Sequence, residues 1–190
     1  MHQIAPKRSG FTLVELLVVL TMIGIVVTFA LPRIDYTRMR VDSGYRQVGI
    51  KLLAAQRKAV LQQHAVVVAF DSVGGRLRLH DDRNNNGVID SGEPIEYVML
   101  EDGLVFGRGS TPAGPIGDAA ITLNRKQGTL PAVTFHRSGS AGEFGGFYLT
   151  SGRSRASARY VEDTRAFDID RATGRVSLLQ YAGGRWIRRF

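Results

Sequence analysis

The sequence predicts an α+β protein: a long N-terminal helix, half transmembrane and half amphipathic, packed on an antiparallel β-rich C-terminal domain. Three observations carry this. Residues 11–31 are apolar and uncharged apart from Glu15. Residues 41–59 place apolar side chains at helical spacing. After His64 the period of the apolar pattern falls to two and glycine becomes frequent, and a long helix followed only by strands belongs to the α+β class.

The balance of charge is basic, with 25 Lys+Arg against 17 Asp+Glu and a formal net charge of +8. Lys7 and Arg8 lie in the first ten residues, and without them the excess is +6. This permits contact with anionic lipid or nucleic acid and specifies neither. Cysteine is absent, so disulfides, thiolate catalysis and Cys-based zinc sites are excluded. Beyond the apolar segment about 155 residues remain, enough for one domain with its own core. No repeat or second domain is visible in them.

Phe11 to Leu31 is long enough to cross a hydrocarbon core of about 30 Å at about 1.5 Å per residue. An ordinary membrane anchor satisfies that length. A secretory signal peptide is a second reading, with Lys7 and Arg8 as its basic leader, although Thr28-Phe29-Ala30 is a poor cleavage site and Glu15 interrupts the apolar region. A carboxylate in lipid costs roughly 2.5–3.5 kcal/mol on insertion scales, which points to a purpose for Glu15.

The third reading comes from resemblance. Gly10-Phe11-Thr12-Leu13-Val14-Glu15-Leu16-Leu17-Val18-Val19-Leu20 resembles the leader junction of type IV pilins and type II secretion pseudopilins. In that family a prepilin peptidase cuts after the glycine and methylates the new N-terminus. The resemblance implies cleavage between Gly10 and Phe11, N-methylation of Phe11, and an assembly role for Glu15. Pro32 falls where many members also carry a proline. The chemistry is sensible: a buried ammonium needs a counter-charge, and Glu15 lies one helical turn from the new amine. It could neutralise the amine of its own or a neighbouring subunit, setting register. Arg33, Arg38 and Arg40 follow the span, so loop charge alone does not orient it. The leader implies a single-pass inner-membrane protein of a Gram-negative-type bacterium, N-terminus cytoplasmic and C-terminal domain periplasmic.

The organisation then reads as a leader over 1–10, a transmembrane and filament-core helix over 11–31, an amphipathic half over 32–64, and a β-rich domain over 65–190. In the amphipathic half Val41, Tyr45, Val48, Leu52, Ala55 and Ala59 recur at spacings of 4, 3, 4, 3 and 4. That is one face of a helix, predicted to lie on a sheet. One helix from Phe11 to about Gln63 is expected, bent or broken locally at Pro32. Gly44 and Gly49 weaken it intrinsically. Ala65–Phe70 and Arg76–His80 read as strands around a Gly74-Gly75 turn. Further strands are expected at 95–100, 120–123, 133–136 and 146–150. A closing hairpin turns at Thr173-Gly174, with Phe167 and Ile169 facing one way and Val176 and Leu178 matching them. The order of these segments, with Val133-Thr134-Phe135-His136-Arg137-Ser138-Gly139 and Thr173-Gly174-Arg175-Val176, resembles the GspH/FimT group of minor pilins.

Residues 82–93 fit the calcium-loop template D-x-[DN]-x-[DN]-G-x5-E. Asp82, Asn84, Asn86 and Asp90 offer side-chain oxygens, Val88 a carbonyl, and Glu93 a bidentate carboxylate. Strands rather than helices should flank the loop, and its asparagines and glycine equally suit a solvated turn. Structural calcium and an unoccupied turn both remain open; no other cofactor is expected.

Arginine gathers late in the chain, and Gly152-Arg153-Ser154-Arg155 resembles the DNA-contacting segment of some DNA-uptake pilins. Arg153 and Arg155 are the nucleic-acid candidates, with Trp186 or Tyr181 for stacking. The same charge would also suit acidic neighbours in a filament or an anionic membrane surface. The four histidines are scattered, and no phosphate loop, nucleophile elbow or zinc-helix motif is present, so an enzyme is not expected. The resemblance implies a minor pseudopilin of a type II secretion system. Its partners would be other minor and major pseudopilins, the prepilin peptidase, the inner-membrane assembly platform and the inner membrane. The alternative is a minor type IV pilin in pilus priming, adhesion or DNA uptake, for which DNA becomes a partner.

Overall fold

The structure, a computed structural model, describes residues 10–30 and 35–189. Most of the leader, with Lys7 and Arg8, and the expected bend at Pro32 lie outside the described residues. The chain divides into two compact units, Met1–Tyr36 and Thr37–Phe190.

The first unit holds α1, Leu13–Ala30. Its eighteen residues extend about 27 Å. Among the described residues no helix is long and apolar enough to cross a membrane. Helix α1 starts two residues inside the expected span, because Phe11 and Thr12 precede its first turn, and Leu31 falls outside the described residues.

The second unit begins on α2, Tyr36–Gln62. All six positions of the expected stripe, Val41, Tyr45, Val48, Leu52, Ala55 and Ala59, are buried, and Gly44 joins them. The two glycines are places of close approach. A Cβ on Gly44 would lie 2.2 Å from Leu104 Cδ1, and one on Gly49 would lie 3.2 Å from Leu178 Cδ2. The helix ends where Gln63 turns left-handed at φ 59°, its side-chain amide donating to the Val60 carbonyl at 2.7 Å.

Ten strands follow in two antiparallel sheets. The first sheet has the order β3-β2-β1-β6-β5, built from β1 Ala65–Asp71, β2 Arg76–Asp82, β3 Ile95–Met99, β5 Lys126–Gln127 and β6 Leu130–Phe135. The second has the order β10-β9-β8-β7-β4, from β4 Leu104–Phe106, β7 Gly145–Ser151, β8 Arg165–Ile169, β9 Val176–Ala182 and β10 Arg185–Arg188. Between β7 and β8 run the short helix α3, Gly152–Ala156, and a 3₁₀ turn, Ala158–Asp163. The closing hairpin pairs Phe167 with Leu178 and Ile169 with Val176. The segment 120–123 is not a strand. It makes one bridge, Ile121 to Phe147, because only Ala120 and Thr122 hydrogen-bond to β7.

The core lies where α2 meets both sheets. Tyr45, Phe167, Phe147 and Phe70 form a column with successive ring centroids 4.6 Å apart, running from helix through the second sheet to the first. Such contacts add to area burial and orient the layers. Arg165, 1% exposed, fastens α2 to β8: it donates to Asp42 Oδ1 at 2.5 Å and to the carbonyls of Glu162 and Thr164.

Candidate functional site

At the head of α1, Thr12 and Glu15 bond reciprocally. The Glu15 N–H donates to Thr12 Oγ1 at 3.2 Å, and the Thr12 N–H donates to Glu15 Oε2 at 3.3 Å. This is a capping box, satisfying two N–H groups that a helix start leaves without partners. Glu15 therefore has a local partner in addition to its expected role in assembly. The signal was legible as Thr-x-x-Glu ahead of an apolar run, and the sequence reading missed it. Gly10 and Phe11 precede the helix and are exposed, so the expected scissile bond lies on non-helical backbone.

From Leu13 to Phe29 every side chain of α1 is exposed, leucines, valines and isoleucines included. A helix apolar on all sides is stable only where lipid or other protein covers it.

The acidic loop leaves β2 at Asp82 and returns at β3. Its oxygens are engaged by the protein's own donors. Asp82 accepts from the N–H groups of Asn86 at 3.0 Å and Gly87 at 2.7 Å. Asp90 Oδ2 accepts from the side-chain amides of Asn84 and Asn86, both at 2.7 Å. Asn86 Oδ1 accepts from the Val88 N–H at 2.7 Å. Glu93 accepts from the N–H groups of Arg83 and Asp90 and lies 2.7 Å from His80 Nε2. Burial would raise the Glu93 carboxyl, but the Asp90 amide, the His80 ring and the Arg83 amide outweigh it and hold its pKa at about 2. Among the described residues no group of three or more His, Cys, Asp or Glu side chains is placed to hold a metal ion. The loop's oxygens are thus shared between backbone N–H groups and the side-chain amides of Asn84 and Asn86, which meet at Asp90 Oδ2. Asn85, which the template leaves unused, accepts from the Ala65 N–H at 2.7 Å and ties the loop to β1.

The expected nucleic-acid residues part company. Arg153 donates twice to Asp163, at 2.6 and 3.0 Å, and its guanidinium lies 4.4 Å from the Tyr160 ring centroid. Ser151 adds a third hydrogen bond to the same carboxylate at 2.6 Å. Arg155 is exposed. Trp186 packs on Tyr148 and Tyr181 and donates to the Pro112 carbonyl at 3.2 Å, and Tyr181 is itself buried. These aromatic rings are engaged in packing. His80, fully buried between Glu93 and Gln127, and His136 sit on different strand ends of the first sheet.

Residues 5–31 match the prokaryotic N-terminal methylation motif, a span that contains Gly10, Phe11 and Glu15. A stretch of 97 residues is 32% identical to Pilin-like protein PilA1 of Thermus thermophilus, covering 50% of this chain and 62% of the relative. The chain therefore spans about three fifths of that relative's length. Among solved structures, the minor pseudopilin EpsH from the Type 2 Secretion System of Vibrio cholerae superposes with a TM-score of 0.46 and 14% identity, over 74% of this chain and 97% of EpsH. The motif implies an N-terminal membrane anchor carrying the C-terminal domain.

Proposed function

We propose that this chain is a minor subunit of a type II secretion pseudopilus. A prepilin peptidase would cut between Gly10 and Phe11 and methylate the new amine. Helix α1 would rest in the inner membrane before assembly and against neighbouring α1 helices afterwards. The observation that carries this reading is the methylation motif over residues 5–31, joined to a helix whose described side chains are all exposed and almost all apolar. Lipid and a packed filament core are the two environments that cover such a surface. On entry into the filament, the amine of an arriving subunit and the Glu15 carboxylate would neutralise each other, so that a mis-registered subunit leaves both charges unpaired in an apolar medium.

The resemblance of the segments around Val133–Gly139 and Thr173–Val176 to the GspH/FimT group, which includes both secretion pseudopilins and minor type IV pilins, supports the minor-subunit part of this reading. A second reading, a minor type IV pilin, is favoured by the identity with Pilin-like protein PilA1. Cross-linking the protein in its native membrane and identifying its partners by mass spectrometry separates them. Secretion pseudopilins among the partners support the first reading, and type IV pilins the second. The same peptides should begin at N-methylated Phe11. A chain that still begins at Met1 overturns both.

A further inference from the structure

The four edges of the two sheets are unequally guarded. Strand β5 has two residues, β4 three, and β10 four with Arg185 and Arg188 at its ends. Short strands and charged ends keep an edge from pairing with another chain. The edge strand β3 has neither guard. It is five residues long, and its one charged side chain, Glu96, lies on the α2 face in an ion pair with Lys51 at 2.5 Å. The Asp81 N–H donates to the Pro94 carbonyl at 3.0 Å, and the Leu100 N–H to the Gly75 carbonyl at 2.8 Å. With Leu79 opposite Glu96 and Leu77 opposite Val98, the alternation of an antiparallel ladder gives Glu96 and Val98 the hydrogen bonds to β2. The N–H and C=O groups of Ile95, Tyr97 and Met99 therefore point to the open side, and among the described residues they have no other partner. Their side chains share the sheet face away from α2 and are 37%, 51% and 58% exposed.

The same strand borders a cavity. Between α2 and the inner face of the first sheet, beside the start of β3, lies a space of about 140 Å³ lined by Ala54, Ala55, Val66, Leu79 and Pro94. Ala54 and Pro94 are exposed, so it opens to solvent between α2 and the head of β3. Two ion pairs flank it, Lys51 with Glu96 and Lys58 with Asp81, the second at 2.6 Å. Each charge is answered within the chain, and neither sign of ligand is favoured. A charged group would also lose its water against Ala55, Val66 and Leu79. An apolar cavity of this size has room for one leucine- or phenyl-sized group.

We propose that β3 takes up an extended, uncharged segment of a partner protein as an added antiparallel strand, with one apolar side chain of that segment filling the cavity under α2. Segment residues that hydrogen-bond to Ile95, Tyr97 and Met99 would set their side chains beside those three, on the outer face. The residues between them would turn theirs toward α2, where the cavity lies. Lipid and nucleic acid offer no row of amides to complete the edge. A second copy of β3 fits poorly, because the side chains it would turn that way are Glu96, held by its own Lys51, and Val98, buried in its own core.

The test uses the full chain in detergent micelles and fluorescence polarisation, with empty micelles as background. The probe is a fluorescein-labelled pool of heptapeptides in which threonine alternates with leucine, isoleucine or phenylalanine. One control pool has alanine at the apolar positions, and two others are N-methylated, either at the threonines or at the apolar residues. The first pool should bind saturably and the alanine pool about tenfold more weakly. Methylation at the threonines, whose N–H groups face β3, should abolish binding, and methylation at the apolar residues should spare it. Tyr97→Pro removes an outward N–H without touching the ladder to β2. It should bind about tenfold more weakly than Tyr97→Thr, which keeps that N–H. Ala54→Phe, which fills the mouth, should erase the preference for the leucine-type pool over the alanine pool. Far-UV circular dichroism checks that each variant is folded. No saturable binding above empty micelles, or equal binding by the two methylated pools, overturns the proposal. So does self-association of the chain that Tyr97→Pro abolishes while the peptides fail to bind, since the edge then belongs to a second copy.

Discussion

Substituting Glu15 by glutamine separates the two roles that the sequence and the structure give this residue. A glutamine at the third helical position can still accept from the Thr12 N–H, so the capping box survives while the charge is lost. Glu15→Ala loses both, and Thr12→Ala loses the cap alone. Breaking the cap costs about 0.5–2 kcal/mol of helix stability. Leaving an ammonium without its counter-charge in the filament core costs roughly 2.5–3.5 kcal/mol on insertion scales. At about 1.4 kcal/mol per factor of ten, that is about 60- to 300-fold in an assembly equilibrium. The assay is the fraction of the protein recovered in cross-linked filament, normalised to its total in the membrane by quantitative mass spectrometry. Glu15→Gln and Glu15→Ala should both fall by about two orders of magnitude, and Thr12→Ala by much less. Wild-type assembly by Glu15→Gln, with Glu15→Ala defective, would falsify the charge argument and leave Glu15 as a helix cap.

Three further outcomes follow from the domain. Leu52→Ala empties a fully buried site between α2 and the sheets; it should cost about 3 kcal/mol, or about 6–12 °C in Tm by thermal circular dichroism, and a change under about 2 °C would show that α2 is not seated as described. The Asp71 carboxyl is held below its ordinary range by the Gly74 N–H and then by Arg76. Its contribution should be present above about pH 4 and lost as pH falls further, so Asp71→Asn should flatten the acid limb of a Tm-against-pH curve and leave its shape near neutrality unchanged. Because the 82–93 loop is closed by its own donors, the Tm should be the same in EGTA and in millimolar calcium. A calcium-dependent rise would show that Glu93 leaves His80 to close around a cation.

Where a pattern repeats along one element, the sequence was a sound guide to the fold. The six-residue stripe on α2 is buried at every position, because helical spacing needs no knowledge of what lies opposite. The register of the last hairpin was legible for the same reason, since alternation fixes which residues share a face once the turn is placed. Gly44 shows where this ends. Its value is set by Leu104, on a three-residue strand too short to announce itself, and the sequence alone shows only a helix-weakening residue. Trp186 likewise stands among arginines, and its place against Tyr148 and Tyr181 follows from the pairing of β10 with β9.

The same distinction separates the two short motifs. The Gly10–Glu15 junction needs only local geometry, an accessible peptide bond and a carboxylate one turn along the same helix, and local geometry is what contiguous residues determine. Gly152–Arg155 needs two guanidiniums free at one surface, and freedom depends on residues elsewhere in the chain. Asp163, ten residues on, is buried beside Ser151 and takes Arg153 as its counter-charge. A buried carboxylate without its partner is costly, so Asp163 holds the Arg153 guanidinium in place.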